Sequence, residues 1–409
     1  MTIQRTAFLT GVTGFIGSSL AAALLAEGRR VITLSRRDPE GKKTQAMVRR
    51  AAHTLGISLS DAVLASCLTT ISGALEDASS LLQDYDLSDV DTVWHLAANL
   101  SYAAKGLARS LEVNLNGAID CYRLFADKAP RCRRFYHVST AYTFGFPRPE
   151  EKIPESLHAC PRLPNAYQLS KWGAEVGLRE ATSQSRLPVT VLRPSVVVGN
   201  SETGVYHGDP FGMYMFLSAV HPLINFPGFR DLRLPRETNG SVNLIPIDVL
   251  VDNWLALDAG DSVDRPVFDV IHCTGQAVPA ALVAQTGGEV TGLRVSFEGP
   301  RSALDQIFAA RVKENHIFMA HRFHFEEQRL PSLLGSRFRA TAIDETSMRR
   351  MIAVYLRRLD RERGQLSIPA LFRPFLSLIT QSRSNLGPAV AHFLTRGYSQ
   401  RVRAAAQSY

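Results

Sequence analysis

This chain of 409 residues is narrowed first by what it lacks. No apolar run reaches the roughly 18 to 20 residues needed to cross a bilayer. The N-terminus enters the strand-like TAFLTG within a few residues rather than through a signal peptide, so a cytoplasmic protein is expected. Five cysteines, Cys67, Cys121, Cys132, Cys160 and Cys273, are odd in number and scattered, with no CxxC pair and no histidine at ligand spacing. That pattern argues against a disulfide framework or a metal site and leaves buried thiols. Short Lys/Arg blocks with interleaved aromatics are missing, so nucleic acid is not an expected partner. There is no internal repeat and no low-complexity tract.

What is present is an ordinary enzyme composition, 45% apolar and 21% charged, on a chain long enough for a large domain with a smaller companion. The net charge of +8 is unevenly placed. From Arg301 onward there are 18 Lys plus Arg against 8 Asp plus Glu, which leaves 28 against 30 for the rest. All the excess positive charge therefore lies in the C-terminal quarter, where it suggests an acidic partner or a solvated helical surface.

Short apolar runs recur at TAFLTG (6–11), RVITLS (30–35), CLTTIS (67–72), DTVWHLA (91–97), RFYHVST (134–140), VTVLRPS (189–195) and VFDVIHC (267–273), with helical periodicity between most of them. Strands alternating with helices predict an α/β fold, a doubly wound parallel Rossmann sheet covered on both faces. From Gly199 to about Ser241 the alternation gives way to a stretch rich in Gly, Pro and aromatics, and a strand-like NLIPIDVL then resumes it. Such an insertion after the sixth strand is expected to carry substrate contacts. Beyond about Val278 the pattern is mostly helical. The expected division is a dinucleotide-binding domain of residues 1–198 with 241–277, and a mostly helical substrate domain of 199–240 with 278–409.

TGVTGFIGSSL, residues 10–20, places Gly11, Gly14 and Gly17 after a strand and at the start of a helix that Gly28 ends. Glycine permits the turn, lets the backbone approach a pyrophosphate, and leaves helix N-terminal N–H groups facing it. The second strand ends in Ser35, Arg36 and Arg37, where an arginine can bond a ribose 2′-phosphate and an acidic residue would bind the 2′-hydroxyl of NAD. NADP(H) is therefore the expected cofactor, with Asp38, a little further on, keeping NAD open.

Tyr167 and Lys171, in NAYQLSKWGAE, lie one helical turn apart on one face. A phenol titrates near pH ~10, and an ammonium beside it favours the phenolate. The pair thus offers a proton donor for hydride chemistry at a carbonyl. Its partner hydroxyl is Ser139 or Thr140, at the end of the fifth run.

TGVTGFIG, HLAA (95–98), VNLNG (113–117), VSTAYTFG (138–145), YQLSK (167–171) and LRPSVVVG (192–199) together make the chain resemble an extended short-chain dehydrogenase/reductase over roughly its first 275 residues. HVSTAY, SKWGAE, GNSETG and NLIPIDVLVDNWLAL make it most similar to the thioester reductases, including fatty acyl-CoA reductases. The resemblance implies Tyr167 as proton donor, Thr140 as the hydroxyl, Lys171 also on the nicotinamide ribose, and Asn114 supporting the proton relay. It implies cofactor contacts from Gly11, Thr13, Gly14, Phe15, Ile16, Gly17, Arg36, Arg37, Ala97, Ala98, Pro194 and Val197. One departure is Ala74 in GALED, where the family often has Asp near the adenine. The implied activity is NADPH-dependent reduction of an acyl thioester to an aldehyde or on to the alcohol. The alternative is a ketoreductase, dehydrogenase or epimerase acting on a sterol, sugar nucleotide or polyketide-like substrate. A coenzyme A or acyl-carrier-protein substrate would meet the basic C-terminal region, with Arg337, Arg339, Arg349 and Arg350 as first docking residues; peripheral contact with lipid is the other use of that charge.

Overall fold

The computed structural model describes residues 5–224, 228–236, 240–260 and 265–364. Its strands are β1 (Thr6–Thr10), β2 (Arg30–Ser35), β3 (Leu68–Ser72), β4 (Val90–His95), β5 (Arg134–Val138), β6 (Lys152–Ile153) and β7 (Val189–Pro194). They continue with β8 (Val196–Val198), β9 (Asp231–Arg233), β10 (Ser241–Pro246), β11 (Phe268–Cys273), β12 (Gln276–Pro279), β13 (Arg294–Ser296) and β14 (His324–Phe325). The helices are α1 (Phe15–Ala26), α2 (Lys42–Leu55), α3 (Asp61–Cys67), α4 (Ala78–Leu81), α5 (Leu107–Ser110), α6 (Gly117–Lys128) and α7 (Ala166–Thr182). After them come α8 (Met213–Ile224), α9 (Ile247–Ala259), α10 (Ala280–Thr291), α11 (Ala303–Met319), α12 (Arg329–Leu334) and α13 (Glu345–Gly364).

All seven apolar runs pair in parallel into one sheet of order β11-β7-β5-β4-β1-β2-β3. Strands such as β1, β5 and β7 are buried at every residue, as expected where helices cover both faces. The strand order reverses between β1 and β4, which opens a crevice at their carboxyl ends. Helix α1 is apolar on almost every side and buried from Gly17 to Leu25, wedged between the sheet, α2 and α9.

NLIPIDVL does not continue this sheet. Its strand half, β10, pairs with β8 and with antiparallel β12 in a separate three-stranded sheet. Pro246 then caps α9, whose first residue is Ile247, so IDVL is helical. The Gly199–Ser241 insertion supplies α8 and β9. Helix α8 packs on α11 and on α13, which creates two apolar clusters beside the sheet. Leu330 and Leu334 of α12 instead join the core beneath α1 and α9. No helix among the described residues is long and apolar enough to cross a membrane.

Candidate active site

One cavity of about 1100 Å³ runs along the carboxyl ends of β1, β4, β5 and β7 and on into the space between α8, α10 and α11. At its first end lies the glycine turn. Gly11 has φ +77°, in the region that favours glycine, and accepts a bond from Gly14 N at 2.9 Å. A Cβ on Gly17 would lie 2.2 Å from Gly11 O, and one on Gly11 would lie 2.7 Å from Ala97 N. The turn is thus a cradle that any side chain would fill, and it presents the N-terminus of α1 to the cavity, so the residues fit a pyrophosphate. Thr10 Oγ1 accepts from Leu96 N and Ala97 N, both at 3.1 Å, and ties the ends of β1 and β4 together.

Gly11, Thr13, Gly14, Phe15, Ile16, Gly17, Arg36, Ala97, Ala98, Pro194 and Val197 all line the cavity, as their motifs imply. Arg37 does not; it takes the left-handed conformation, φ 54°, so of the pair only Arg36 is on the cavity wall. Asp38 is buried and caps α2. Its carboxylate accepts Lys43 N at 3.0 Å, Thr44 N at 2.8 Å and the Thr44 hydroxyl at 2.7 Å. Burial opposes ionisation there, yet these donors hold the carboxyl below its ordinary value. Lys43, Met47 and Arg50, spaced i, i+4, i+7 on α2, also line the cavity, as does Arg109, bridged to Glu76 at 2.5 Å. That helical spacing after the Arg36–Arg37 pair was the signal for them. Ala74 is absent from the wall, although its neighbours Gly73 and Leu75 form part of it.

Tyr167, Thr140 and Lys171 line the same cavity. Asn165 caps α7, accepting from Gln168 N at 2.9 Å, and so fixes the first turn on which Tyr167 sits. The Tyr167 ring stacks on Tyr102 at 5.9 Å. Burial, with Tyr102 adding to it, pushes the Tyr167 phenol up, against the expectation of a lowered value. The reason is where the ammonium goes: Lys171 Nζ donates to Val138 O at 2.6 Å and contacts His137 Nε2 at 3.3 Å. Burial brings Lys171 down to about 7, with Glu175 opposing. Of the two hydroxyls, Ser139 donates to buried Glu175 at 2.5 Å, and Glu175 is itself paired with Arg193 at 2.6 Å. Thr140 caps the turn Ala141–Phe144 through a long 3.4 Å bond from Tyr142 N.

Asn114 lies behind the wall, in a π-helical turn, Leu111–Asn116. Its amide donates to Ser170 Oγ at 2.8 Å and Asn99 O at 2.9 Å and accepts from Asn99 N at 2.7 Å, joining the loop after β4 to α7. The insertion reaches the glycine turn as well. His207 meets Ser18 Oγ and Thr54 Oγ1, both at 2.9 Å, and burial lowers it to about 4. Arg358 of α13 donates to Tyr206 O and Gly208 O at 3.0 Å each, securing that loop.

The first docking arginines are largely committed within the fold. Arg339 bridges Asp248 at 2.7 Å and Asp252 at 2.5 Å. Arg349 pairs with Glu289 and Glu345, and Arg350 donates to Ser201 O at 2.9 Å. The charges of Arg339 and Arg349 are matched by acids, of which Asp248, Asp252 and Glu289 are remote in sequence. Arg337 lies against Gly260. Arg373 to Arg403 lie outside the described residues.

A glycine turn at the switch point of such a sheet, sharing a cavity with a Tyr/Lys pair on α7, marks a nicotinamide-binding oxidoreductase of the extended short-chain dehydrogenase/reductase class. The NAD-binding family model described as Male sterility protein matches residues 9–254, and the chain belongs to that family. It is 28% identical over 309 residues to fatty acyl-CoA reductase 1 of Xenopus laevis, covering 66% of this chain and 58% of that protein. A non-canonical nonribosomal peptide synthetase of Aspergillus campestris is 26% identical over 265 residues, 61% of this chain and 24% of that one. The chain thus matches less than two thirds of either relative's length. The fold is similar to the terminal R domain from the myxalamid PKS-NRPS pathway, with TM-score 0.69 and 21% identity over 88% of this chain and 92% of that one.

Proposed function

We propose that the protein reduces an acyl thioester of coenzyme A or an acyl carrier protein to the aldehyde, using NADPH. The observation that carries this reading is that Tyr167, Thr140 and Lys171 share one cavity with the glycine turn and with an apolar compartment. Likeness to a fatty acyl-CoA reductase and to a synthetase R domain supports the thioester as the reacting group. NADPH over NADH is supported by Arg36 on the cavity wall and by the Asp38 carboxylate being engaged in capping α2.

The glycine turn, Arg36, Pro194 and Val197 would hold the dinucleotide, whose chemistry there would be hydride donation. The chain's own part is electrostatic and protonic. The Thr140 and Tyr167 hydroxyls donate to the thioester oxygen as its carbon becomes tetrahedral, and Tyr167 gives the proton. Expulsion of the thiol from the hemithioacetal leaves the aldehyde. Lys171 serves the nicotinamide ribose, and Asn114, through Ser170, holds the first turns of α7 in place. Tyr167→Phe is expected to keep NADPH affinity while turnover falls by about 10² to 10⁴. Turnover near that of the wild type would overturn the assignment.

A further inference from the structure

The cavity extends beyond Tyr167 into a compartment walled by Phe216, Val220, Leu232, Leu293 and Phe308. From Gly212 to Ile352 no described lining residue carries a charge. An ion lodged there would find no charged partner among them, which favours an uncharged group. One wall is α10, where Val283, Gly287 and Thr291 recur every four residues and face the cavity, while Gln285 and Glu289 are exposed.

Gly287 and Gly288 stand together inside this helix, where glycine is less stable than alanine. Gly288 has a packing reason, since a Cβ there would lie 2.8 Å from both Leu293 O and Val295 Cγ2. Gly287 has none of that kind. A Cβ there would meet nothing within 4 Å, and its φ is not in the left-handed region. The residue is nonetheless half-buried and part of the cavity wall. Neither a turn nor a close backbone approach calls for glycine at this position; its missing side chain enlarges the compartment.

We infer that the compartment takes the remote, lipophilic end of the acyl group and that Gly287 sets how long that group can be. The inference rests on the thioester reading for the identity of the substrate. Its test is kcat/KM for NADPH oxidation over a series of straight-chain saturated acyl-CoA thioesters of increasing length, with wild type, Gly287→Ala and Gly287→Leu. Gly287→Leu is expected to lose about tenfold or more on the longest chains that the wild type accepts, and to stay within about twofold on the shortest. A loss equal at every length, or none, would overturn the role of Gly287. Should Gly287→Leu fail to fold, Gly287→Ala decides: a loss confined to the longest chains supports the role, and an unchanged profile overturns it.

If the wild type reduces no thioester, the thioester reading fails and a measurement without turnover decides Gly287. Straight-chain alcohols then compete with a fluorescent lipophilic probe. A shorter length limit in Gly287→Leu supports the role, and identical limits overturn it.

Discussion

At one end of the cavity Arg36, Lys43, Arg50 and Arg109, the last paired with Glu76, line the wall; at the other, from Gly212 to Ile352, the described lining is uncharged. The cationic end is made chiefly by one local unit, β1 through α2, whose contacts follow from short sequence spacings. The uncharged end draws on α8, β9, α10, β13 and α11, elements spread over more than a hundred residues. The difference teaches which part of a substrate goes where. A phosphate-bearing group finds partners at the first end, whereas a phosphate in the second would lie among uncharged residues. This segregation is the physical ground for placing an uncharged, apolar group such as an acyl chain at the second end.

After the loss expected at Tyr167, the largest effect that sharpens the contrast is at Arg36. Arg36→Ala is expected to weaken NADPH by about 1.5 to 3 kcal/mol more than NADH, the worth of a charge-assisted hydrogen bond. Dissociation constants for both cofactors measure this, and equal weakening would mean that the cationic end does not read the ribose phosphate.

A smaller effect lies where the two ends meet, at Lys171. Its folded value of about 7 lies below the ordinary 10.5, so between the two the native state binds fewer protons than the unfolded chain. Stability of the enzyme without cofactor should therefore rise as pH increases from about 7 toward 10, by on the order of 1 kcal/mol across the first two units. Chemical denaturation at several pH values reads this slope, and Lys171→Met should flatten it. An unchanged slope in the variant would assign the titration to another group.

Much of the first end was legible because its signals are local. Parallel strands buried on both faces read as continuous apolar runs, so each of the seven runs became a sheet strand. The glycine spacing reported a steric need that Gly17 and Gly11 meet through backbone alone. Tyr167 and Lys171 share a cavity as their helical spacing predicts, but the direction of the ammonium depends on Val138 O and His137, contributed by a distant strand. NLIPIDVL misled because its apolar run crosses an element boundary at Pro246, where strand becomes helix. The basic C-terminal stretch was hard to read for a different reason. Arg339 and Arg349 are surplus charge only until Asp248, Asp252 and Glu289 are brought to them by folding. Gly287 gives no motif at all, and its meaning emerges only from the space that surrounds it.

The central claim, that this cavity reduces a thioester, is tested most directly by the stoichiometry of free thiol to NADPH consumed with an acyl-CoA substrate, aldehyde being trapped as it forms. The account predicts one free thiol for each NADPH oxidised while trapping is complete, both falling together in Tyr167→Phe. NADPH oxidation without thiol release, in the presence of a carbonyl substrate that the enzyme does turn over, would contradict it.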